Sequence, residues 1–387
     1  MILLDQPYIS EFLKRTIKEN NLSAFDSGNV LKKGELKLLN ESEAINIMAK
    51  NSGERICTTS ENAITWIHKN LNRPLIHKHI NTFKDKVVFR KEIENLFPKF
   101  YFKEVYLSDL KSMKPANLPM PCIIKPAVGF FSMGVHKVTC AENWEKTIEL
   151  IQKDVKNIQD IYPEQVLNTE RFIIEEVIEG DEFAFDSYIN EKGEAIILGM
   201  MKHAFASETD VSDRLYMVSK DIFSKKLNIF REFIQKIALQ TGIKNFLLHT
   251  EIRIDKTGEI IPIEVNPMRF GAWCTSAELT WNAFKTNSYL NFLENRNPDW
   301  SRILSETDEH LFSLVILDNN TGYASEEIEY FDFDLLLQQF ENPIEVRKID
   351  FRKYPIFGMV YLKTNKSNQK ELETILKSNL REFIKLK

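Results

Sequence analysis

The sequence predicts a mixed α/β fold that starts with a small parallel sheet and continues into antiparallel strands. Over the first eighty residues, short apolar runs alternate with stretches of helical periodicity, an order typical of βαβ units. Further along, apolar strands follow one another in pairs, and the two strands over 247–268 are separated by a tight turn at 255–258. These two patterns favour a Rossmann-like N-terminal segment followed by α+β lobes.

The N-terminal elements can be placed in order from their apolar periodicity. Strands are predicted at 1–4 and 55–59, and helices at 9–20 and 43–50. A further helix is expected to begin with Ser60 as its cap. The segment lacks the G-x-G-x-x-G pattern, so dinucleotide binding is unsupported.

The remaining elements divide the chain into four predicted domains. Helices are expected over 85–97, 143–158, 225–241 and from Asn368 onward, with a polar loop at 207–213. Strands are expected over 122–125, 135–138, 171–175, 182–189, 195–201 and 359–363. The predicted domains are a Rossmann-like unit over 1–83, a small lobe over 84–190, a large lobe over 191–300 and an α/β extension over 301–387. Two histidines, His77 and His79, fall in a predicted linker.

Composition and charge exclude several classes of function. The 387 residues carry a formal net charge of −5, which argues against a general nucleic-acid binder. The four cysteines form no C-x-x-C pair, so neither a zinc site nor a disulfide framework is expected. No basic segment precedes an apolar run at the start, and no apolar run approaches the ~20 residues that span a bilayer. We expect a cytoplasmic protein with no membrane or nucleic-acid partner.

The most informative stretch is the predicted hairpin over 247–268. Strand alternation places Glu264 and Asn266 on one face of its second strand. With a turn centred on 257–258, Glu251 falls opposite Glu264, where paired side chains approach within about 5 Å. Two carboxylates this close require a cation between them, and oxygen ligands suit Mg²⁺ or Mn²⁺. The simpler interpretation is a solvated strand face, and a one-residue bulge would separate the two glutamates.

A second pattern combines a strand, a lysine and a glycine-bearing loop. Pro126 biases Lys125 toward an extended conformation, so the lysine side chain projects from the strand end. Gly129 and Gly134 permit turns that direct backbone N–H groups at an anion, and Ser132 adds a hydroxyl donor. The pattern indicates a phosphate site, although it is not a P-loop and a lysine before a hairpin is common.

A third pattern is an acidic connector between two predicted strands, with the sequence RFIIEEVIEGDE over 171–182. Such connectors can present backbone donors and acceptors to a purine, with aliphatic side chains on either side of the ring. Glu175 is placed to accept a hydrogen bond from an exocyclic amine, and Glu182 from ribose hydroxyls. The simpler interpretation is an acid-rich turn that is merely solvated.

Taken together, the lysine and glycine loop, the acidic connector, and the H-T-E and I-E-V-N-P-M-R segments of the hairpin resemble the ATP-grasp superfamily. The resemblance covers roughly residues 84–275, and the N-terminal segment resembles the domain that commonly precedes this fold. It implies two α+β lobes that clasp ATP. The activity that it implies is ADP-forming ligation of a carboxylate to an amine through an acyl phosphate.

The resemblance also implies roles for individual residues. Those expected at the nucleotide are Lys86 and Lys125 on the phosphates, Gly129, Ser132 and Gly134 in a flexible flap, Glu175, Val177 and Ile178 at the adenine, and Glu182 on the ribose. Those expected at one or two Mg²⁺ (or Mn²⁺) ions are Glu251, Glu264 and Asn266. Arg269 is expected to stabilise the acyl phosphate or the tetrahedral intermediate, which would make it catalytic together with Lys125.

Two features depart from the common pattern of the superfamily. Phe130 and Phe131 occupy flap positions where many members have smaller residues. Arg269 follows Met268 instead of directly following the proline of the motif.

The expected partners are a small-molecule carboxylate and an amine, with amino acids or small peptides as the favoured substrate class, and a homodimer is left open. Candidate substrate contacts are Lys202, His203 as a general base, and Arg214 as a carboxylate anchor. Their simpler interpretations are an exposed basic face and a surface histidine. Two other functions fit an ATP-grasp protein: a small-molecule kinase and a non-catalytic ATP-binding subunit.

Overall fold

The computed structural model describes residues 1–51, 53–129, 134–158 (backbone only over 156–158), 170–207, 210 and 212–387. Contacts between residues divide the chain into two compact units. Unit 1 comprises 1–180, 187–196 and 231–274, and unit 2 comprises 181–186, 197–230 and 275–387. The predictions for Phe130, Phe131 and Ser132 fall outside the described residues, and the division into four domains stays a prediction.

Strands and helices are mixed along the chain, as expected for a mixed α/β protein, and they alternate one by one only over the N-terminal elements. The strands are β1 Ile2–Leu4, β2 Ala24–Asp26, β3 Cys57–Thr58, β4 Phe102–Tyr106, β5 Cys122–Pro126, β6 His136–Val138, β7 Arg171–Glu176, β8 Asp181–Ile189, β9 Ala195–Ala204, β10 Leu215–Val218, β11 Phe246–Ile254, β12 Ile260–Pro267, β13 Leu311–Asp318, β14 Ile328–Phe331, β15 Pro343–Lys348, β16 Ile356–Thr364 and β17 Ile384–Leu386. The helices are α1 Glu11–Glu19, α2 Glu41–Lys50, α3 Asn62–Asn70, α4 Pro74–Lys84, α5 Lys86–Ile93, α6 Leu107–Leu110, α7 Trp144–Ile158, α8 Lys220–Thr241, α9 Gly271–Phe284, α10 Ser288–Leu293, α11 Trp300–Glu306, α12 Phe333–Leu337 and α13 Lys370–Lys377.

Unit 1 begins with a three-stranded parallel sheet in the order β2-β1-β3. The central strand β1 is an apolar run with fully buried side chains, as expected for a parallel strand covered on both faces. Helix α1 is capped by Ser10, and α2 by a reciprocal pair between Asn40 and Glu43. The predicted Rossmann-like sheet is confirmed. The N-cap position of α3 is Glu61, one residue later than predicted, but the Ser60 hydroxyl accepts a 3.3 Å hydrogen bond from the backbone N–H of Asn62 at the start of the helix.

The second sheet of unit 1 is antiparallel, in the order β4-β7-β5-β6. Ile124 and Ile174 are register partners on the face that packs on Trp144 of α7. Lys125, the next residue of β5, is paired with Ile173 on the opposite face. Ile173 packs there on helix α5, so strand alternation directs Lys125 toward the helix that carries the other predicted phosphate lysine.

In unit 2 the strands follow the order β8-β9-β10-β13-β16-β15, and β14 pairs separately with β17. The pairs that join β10, β13, β16 and β15 are all antiparallel. Leu336 of α12 and Leu372 of α13 cover one face of this sheet, where they share a buried core with Val315, Phe357 and Val360.

Several sequence predictions are corrected by the structure. Residues 74–84 form α4, so His77 and His79 lie in a helix instead of a linker, and His79 packs against Phe246. Helix α8 begins at Lys220, ahead of the predicted residue 225, and the predicted polar loop is followed at once by β10. No helix in the part of the chain that the structure describes is long and apolar enough to cross a membrane.

Candidate active site

The β11–β12 hairpin brings the two predicted metal-binding glutamates opposite each other, because Glu251 and Glu264 are register partners. Nearer the turn the register is different, and Ile252 pairs with Pro262. Ile263 is therefore the extra residue of a β-bulge, and this bulge shifts the register by one. A bulge would be expected to separate the two glutamates, whereas the bulge that is present creates their pairing.

Glu264 is held in its ionised form by the groups around it. Lys86 Nζ lies 3.0 Å from its Oε2, and Asn266 Nδ2 donates a 2.9 Å hydrogen bond to its Oε1. Burial raises the pKa of Glu264, but the charge of Lys86 and the hydrogen bond from Asn266 outweigh it and hold that pKa below its ordinary value. Glu251 is more open to solvent, and its Oε1 lies 3.5 Å from His249 Nε2.

The donor set of the hairpin fits a hard divalent cation. Among the described residues, no group of three or more histidine, cysteine and carboxylate side chains converges on one point. Two carboxylates with one amide oxygen leave positions for water and phosphate oxygens, as Mg²⁺ sites usually do. Glu251, Glu264 and Asn266 are therefore the residues that would hold the metal.

Lys86 is placed beside this hairpin by the start of helix α5. Asp85 caps the helix by accepting hydrogen bonds from the backbone N–H groups of Val87 and Val88, at 2.9 and 3.1 Å. The backbone N–H of Lys86 donates to the carbonyl of Ala127 at 2.8 Å, and its Nζ donates to the carbonyl of Gly129 at 3.3 Å. The capped helix end therefore fixes Lys86 against the predicted phosphate loop.

The glycines that bound this loop differ in their constraints. Gly134 has a φ of 70°, and an added Cβ would lie 3.1 Å from Pro126 Cγ. A side chain at this position would therefore be strained and crowded, which supports the predicted need for glycine. Gly129 is buried. Ser132 lies outside the described residues.

Lys125 and Glu175 form a buried ion pair that also includes Arg90. Lys125 Nζ lies 2.7 Å from Glu175 Oε2, and Arg90 Nε donates to Glu175 Oε1 at 2.6 Å. Burial raises the pKa of Glu175, but the two cations outweigh it and lower the pKa to about 2. Burial also lowers the pKa of Lys125, and Glu175 offsets part of that shift. Arg90 could not be predicted from the sequence, because nothing in the local pattern of α5 marks one of its several charges as buried.

The connector that follows Glu175 is held against the metal hairpin within unit 1. Arg253 donates from NH1 to the carbonyl of Ile178 at 2.7 Å. Gly180 has a φ of 113°, and a Cβ there would lie 2.1 Å from the carbonyl oxygen of Ile254. Val177 and Ile178 are half-buried, which leaves their adenine-binding role a prediction.

Arg269 is paired with a residue that the sequence argument did not identify. Its Nε and NH2 donate to Oε1 of Glu61 at 3.1 and 2.8 Å. Lys84 forms an ion pair with the other carboxylate oxygen of Glu61. Glu61 and Arg269 are more than two hundred positions apart in the sequence, so no local signal could reveal their pairing.

The remaining predicted residues lie in unit 2. His203 Nδ1 lies 2.8 Å from Glu182 Oε1, and its Nε2 lies 3.0 Å from the carbonyl oxygen of Ser212. Lys202 Nζ pairs with Asp181 at 3.0 Å. Arg214 is buried, where it pairs with Asp318 at 2.6 Å and donates to two backbone carbonyls near the end of α13. These contacts give Arg214 a structural role, so the hypothesis that it anchors a substrate carboxylate loses its support.

Comparison with known proteins identifies the domain to which the hairpin belongs. Residues 118–277 match the family model of the ATP-grasp domain. No curated protein sequence matches the chain. The fold resembles an L-amino acid ligase from Bacillus licheniformis, with a TM-score of 0.69 at 16% identity over 100% of this chain and 98% of that one. It also resembles N5-carboxyaminoimidazole ribonucleotide synthetase from Thermotoga maritima, with a TM-score of 0.60 at 15% identity over 99% and 98%.

A third similar structure is the biotin carboxylase domain of 2-oxoglutarate carboxylase from Hydrogenobacter thermophilus, in complex with MgADP, ADP and bicarbonate. Its TM-score is 0.65 at 12% identity over 100% of this chain and 90% of that one. The chain therefore contains an ATP-grasp domain within an ATP-grasp fold, and the predicted superfamily and fold class are confirmed. The match to the ATP-grasp domain agrees with the predicted ATP-dependent enzyme class and with ATP and Mg²⁺ as its cofactors.

Proposed function

We propose that this protein is an ADP-forming carboxylate–amine ligase, which activates a carboxylate as an acyl phosphate and couples it to an amine. The observation that carries the proposal is the Glu251–Glu264 pair with Lys86 Nζ at 3.0 Å from Glu264, inside the segment of an ATP-grasp fold where a metal site is expected. A paired carboxylate site beside a lysine suits metal-bound phosphates better than it suits a purely structural hairpin.

In the proposed reaction, the lysines and the metal-binding residues contribute charge and hold the phosphates in position. Lys86 and Lys125 neutralise phosphate charge, and their burial strengthens that electrostatic effect. When bound at Glu251, Glu264 and Asn266, Mg²⁺ supplies further charge neutralisation at the phosphoryl oxygens. No covalent protein nucleophile is needed, because a substrate carboxylate attacks the γ-phosphorus in line.

An amino acid or a small peptide is the proposed substrate class. The supporting observation is that the fold of an L-amino acid ligase matches this chain over nearly the whole length of both. Identity of 16% establishes the fold alone, so the carboxylate and the amine have to be identified by experiment. A cytoplasmic location and a homodimer also stay predictions.

The experiment that tests this proposal measures ADP and free phosphate released from ATP and Mg²⁺ with pooled amino acids. A ligase releases both in step and only with the pool present, which can then be divided to find the substrates. A kinase would release ADP while the phosphoryl group stays on a product. Tight ATP binding without turnover in any pool would instead favour a non-catalytic subunit.

A further inference from the structure

The N-terminal sheet of unit 1 contacts the segment that carries Arg269 through the main chain. The backbone N–H of Thr58 donates to the carbonyl of Met268 at 2.7 Å, and Thr58 forms an isolated parallel bridge with Arg269. The sheet is thereby extended at its β3 edge by residues from beyond the end of β12. This register brings the residues that follow β3 into the neighbourhood of the Arg269 guanidinium.

The Glu61 side chain does not cap the helix at whose start it lies. Glu61 occupies the N-cap position of α3, yet its side chain accepts no capping hydrogen bond from that helix. The carboxylate instead turns to Arg269 and Lys84, and only 7% of Glu61 is exposed. A carboxylate buried at this level is retained where its charge is matched by partners, and both partners here are cations.

The contacts of Arg269 fix the plane of its guanidinium. Two of its nitrogens donate to one oxygen of Glu61, and NH1 donates to the carbonyl of Phe270 at 3.1 Å. A guanidinium held on both sides keeps its orientation before any substrate arrives. Such preorganisation makes a charged group effective in catalysis, because no reorganisation is needed during the reaction.

The backbone around Arg269 is also in an uncommon conformation. Met268 has a φ of 63°, and Ala272, Trp273 and Cys274 have φ values of 44°, 55° and 68°. Left-handed conformations are unfavourable for non-glycine residues and persist only where surrounding contacts determine them. Among those contacts, Cys274 Sγ lies 3.6 Å from the carbonyl oxygen of Thr58. The strain therefore falls where the N-terminal sheet meets the Arg269 segment.

We propose that Glu61 is a positioning residue for the reaction, which holds Arg269 and Lys84 as a three-residue clasp. The inference rests on the proposed ligase function and extends it to the N-terminal segment, which lies outside the matched ATP-grasp domain. Glu61 itself touches neither nucleotide nor metal ligand in this account. It acts through Arg269, and Lys84 balances the second oxygen of its carboxylate.

The clasp is tested by a double-mutant cycle between Glu61→Gln and Arg269→Lys, read as kcat and KM in the ADP-release assay. In Glu61→Gln, kcat is expected to fall about tenfold or more while KM for ATP changes less than about twofold. The double variant is expected to be no slower than the slower single variant, because both changes remove the same interaction. Multiplied effects, or a Glu61→Gln variant with wild-type kcat, would overturn the proposal.

A matched control separates this role from general stabilisation. Glu54 belongs to the same N-terminal segment and pairs with the amino group of Met1 at 2.8 Å. Glu54→Gln should therefore leave kcat unchanged even if it lowers the thermal midpoint. A loss of kcat in Glu54→Gln as large as that in Glu61→Gln would mean that the clasp has only a structural role.

A readout that needs no turnover distinguishes failure of the clasp from failure of the proposed function. The Arg269 Nε–H signal in the nitrogen NMR spectrum, assigned by its loss in Arg269→Lys, should exchange slowly with water in the wild type. It should exchange faster in Glu61→Gln by about tenfold or more, since the 3.1 Å bond to Glu61 is weakened. Fast exchange of the Arg269 Nε–H in the wild type would overturn the clasp. Slow exchange together with no ADP release in any pool would contradict the ligase assignment and leave the clasp intact.

Discussion

Lys86 Nζ lies 3.0 Å from Glu264 Oε2, so a predicted phosphate lysine and a predicted metal ligand form one ion pair within unit 1. The pair explains how the half-buried Glu264 stays ionised, since burial alone would raise its pKa. It also means that a change at either residue alters the charge seen by the other. The roles of the two residues should therefore be tested by separate measurements.

Glu264→Gln is expected to weaken Mn²⁺ binding, measured by the paramagnetic resonance of free Mn²⁺, by about tenfold or more. The change removes one anionic ligand and leaves Lys86 without its partner carboxylate. Glu259→Gln is the matched control, because this exposed glutamate lies in the turn of the same hairpin. Unchanged Mn²⁺ affinity in Glu264→Gln would rule Glu264 out as a ligand.

Glu175→Gln is expected to lower the free energy of unfolding by about 3–5 kcal/mol, because it leaves the buried cations Arg90 and Lys125 without their shared anion.

Lys125→Ala should weaken ATP binding, because it removes a phosphate lysine, and it should also destabilise the fold, because it breaks the same buried ion pair. The position of Lys125 at a strand end had suggested little loss of stability, but the side chain is 6% exposed and ion-paired. Urea unfolding of both variants checks these values, and a Glu175→Gln protein of wild-type stability would contradict the account of the ion pair.

Gly180→Ala is expected to destabilise the protein by more than about 2 kcal/mol. Its Cβ would lie 2.1 Å from the carbonyl oxygen of Ile254, in addition to the strain of a φ of 113°. Gly242→Ala is the control, since its φ is 65° and an added Cβ meets nothing within 4 Å. That control should cost about 1 kcal/mol. Equal losses in the two variants would mean that the connector does not pack closely on the hairpin.

His203 is expected to make stability depend on pH. Its two ring nitrogens lie 2.8 Å from the carboxylate of Glu182 and 3.0 Å from the carbonyl of Ser212, so both must carry a proton. Burial lowers the pKa of His203, but the hydrogen bond and charge of Glu182, with Asp213 nearby, outweigh it and raise that pKa above 6.5. An imidazolium cannot accept a further proton, which argues against His203 as a general base.

The sign of this effect follows from the raised pKa. The stabilisation is fully present below the unfolded value of 6.5 and is lost as the pH rises through the folded pKa. The free energy of unfolding should therefore fall between about pH 6 and about pH 9 by more in the wild type than in His203→Gln. Denaturant titrations at the two pH values measure the difference. Parallel pH profiles would show that His203 is neutral or unimportant to stability.

Local patterns in the sequence predicted the order of the elements and the hairpin with its two glutamates. Alternation along β12 was enough to place Glu264 and Asn266 on one face. The pairing of Glu251 with Glu264 was predicted correctly, but for a register that lacked the bulge at Ile263. A bulge depends on packing of the whole strand pair, so the alternation of residues does not reveal it.

The partners of the predicted charges were not predictable from local sequence. Arg90 meets Glu175 across 85 positions and Glu61 meets Arg269 across 208, and both contacts depend on how sheets and helices pack. Burial of Arg214 likewise depends on Asp318, which lies 104 positions away at the end of β13. Sequence motifs therefore identified the residues that match the superfamily, whereas the residues that hold them in place required the structure.

The central claim, that a carboxylate is activated as an acyl phosphate, is tested most directly by the fate of its oxygen. Pooled amino acids labelled with ¹⁸O in the carboxylate would be incubated with ATP and Mg²⁺, and the released phosphate examined by ³¹P NMR. One ¹⁸O atom is expected in each phosphate released, and no labelled phosphate is expected with Glu264→Gln. Turnover that releases only unlabelled phosphate would contradict it, because the carboxylate would not have attacked the γ-phosphorus.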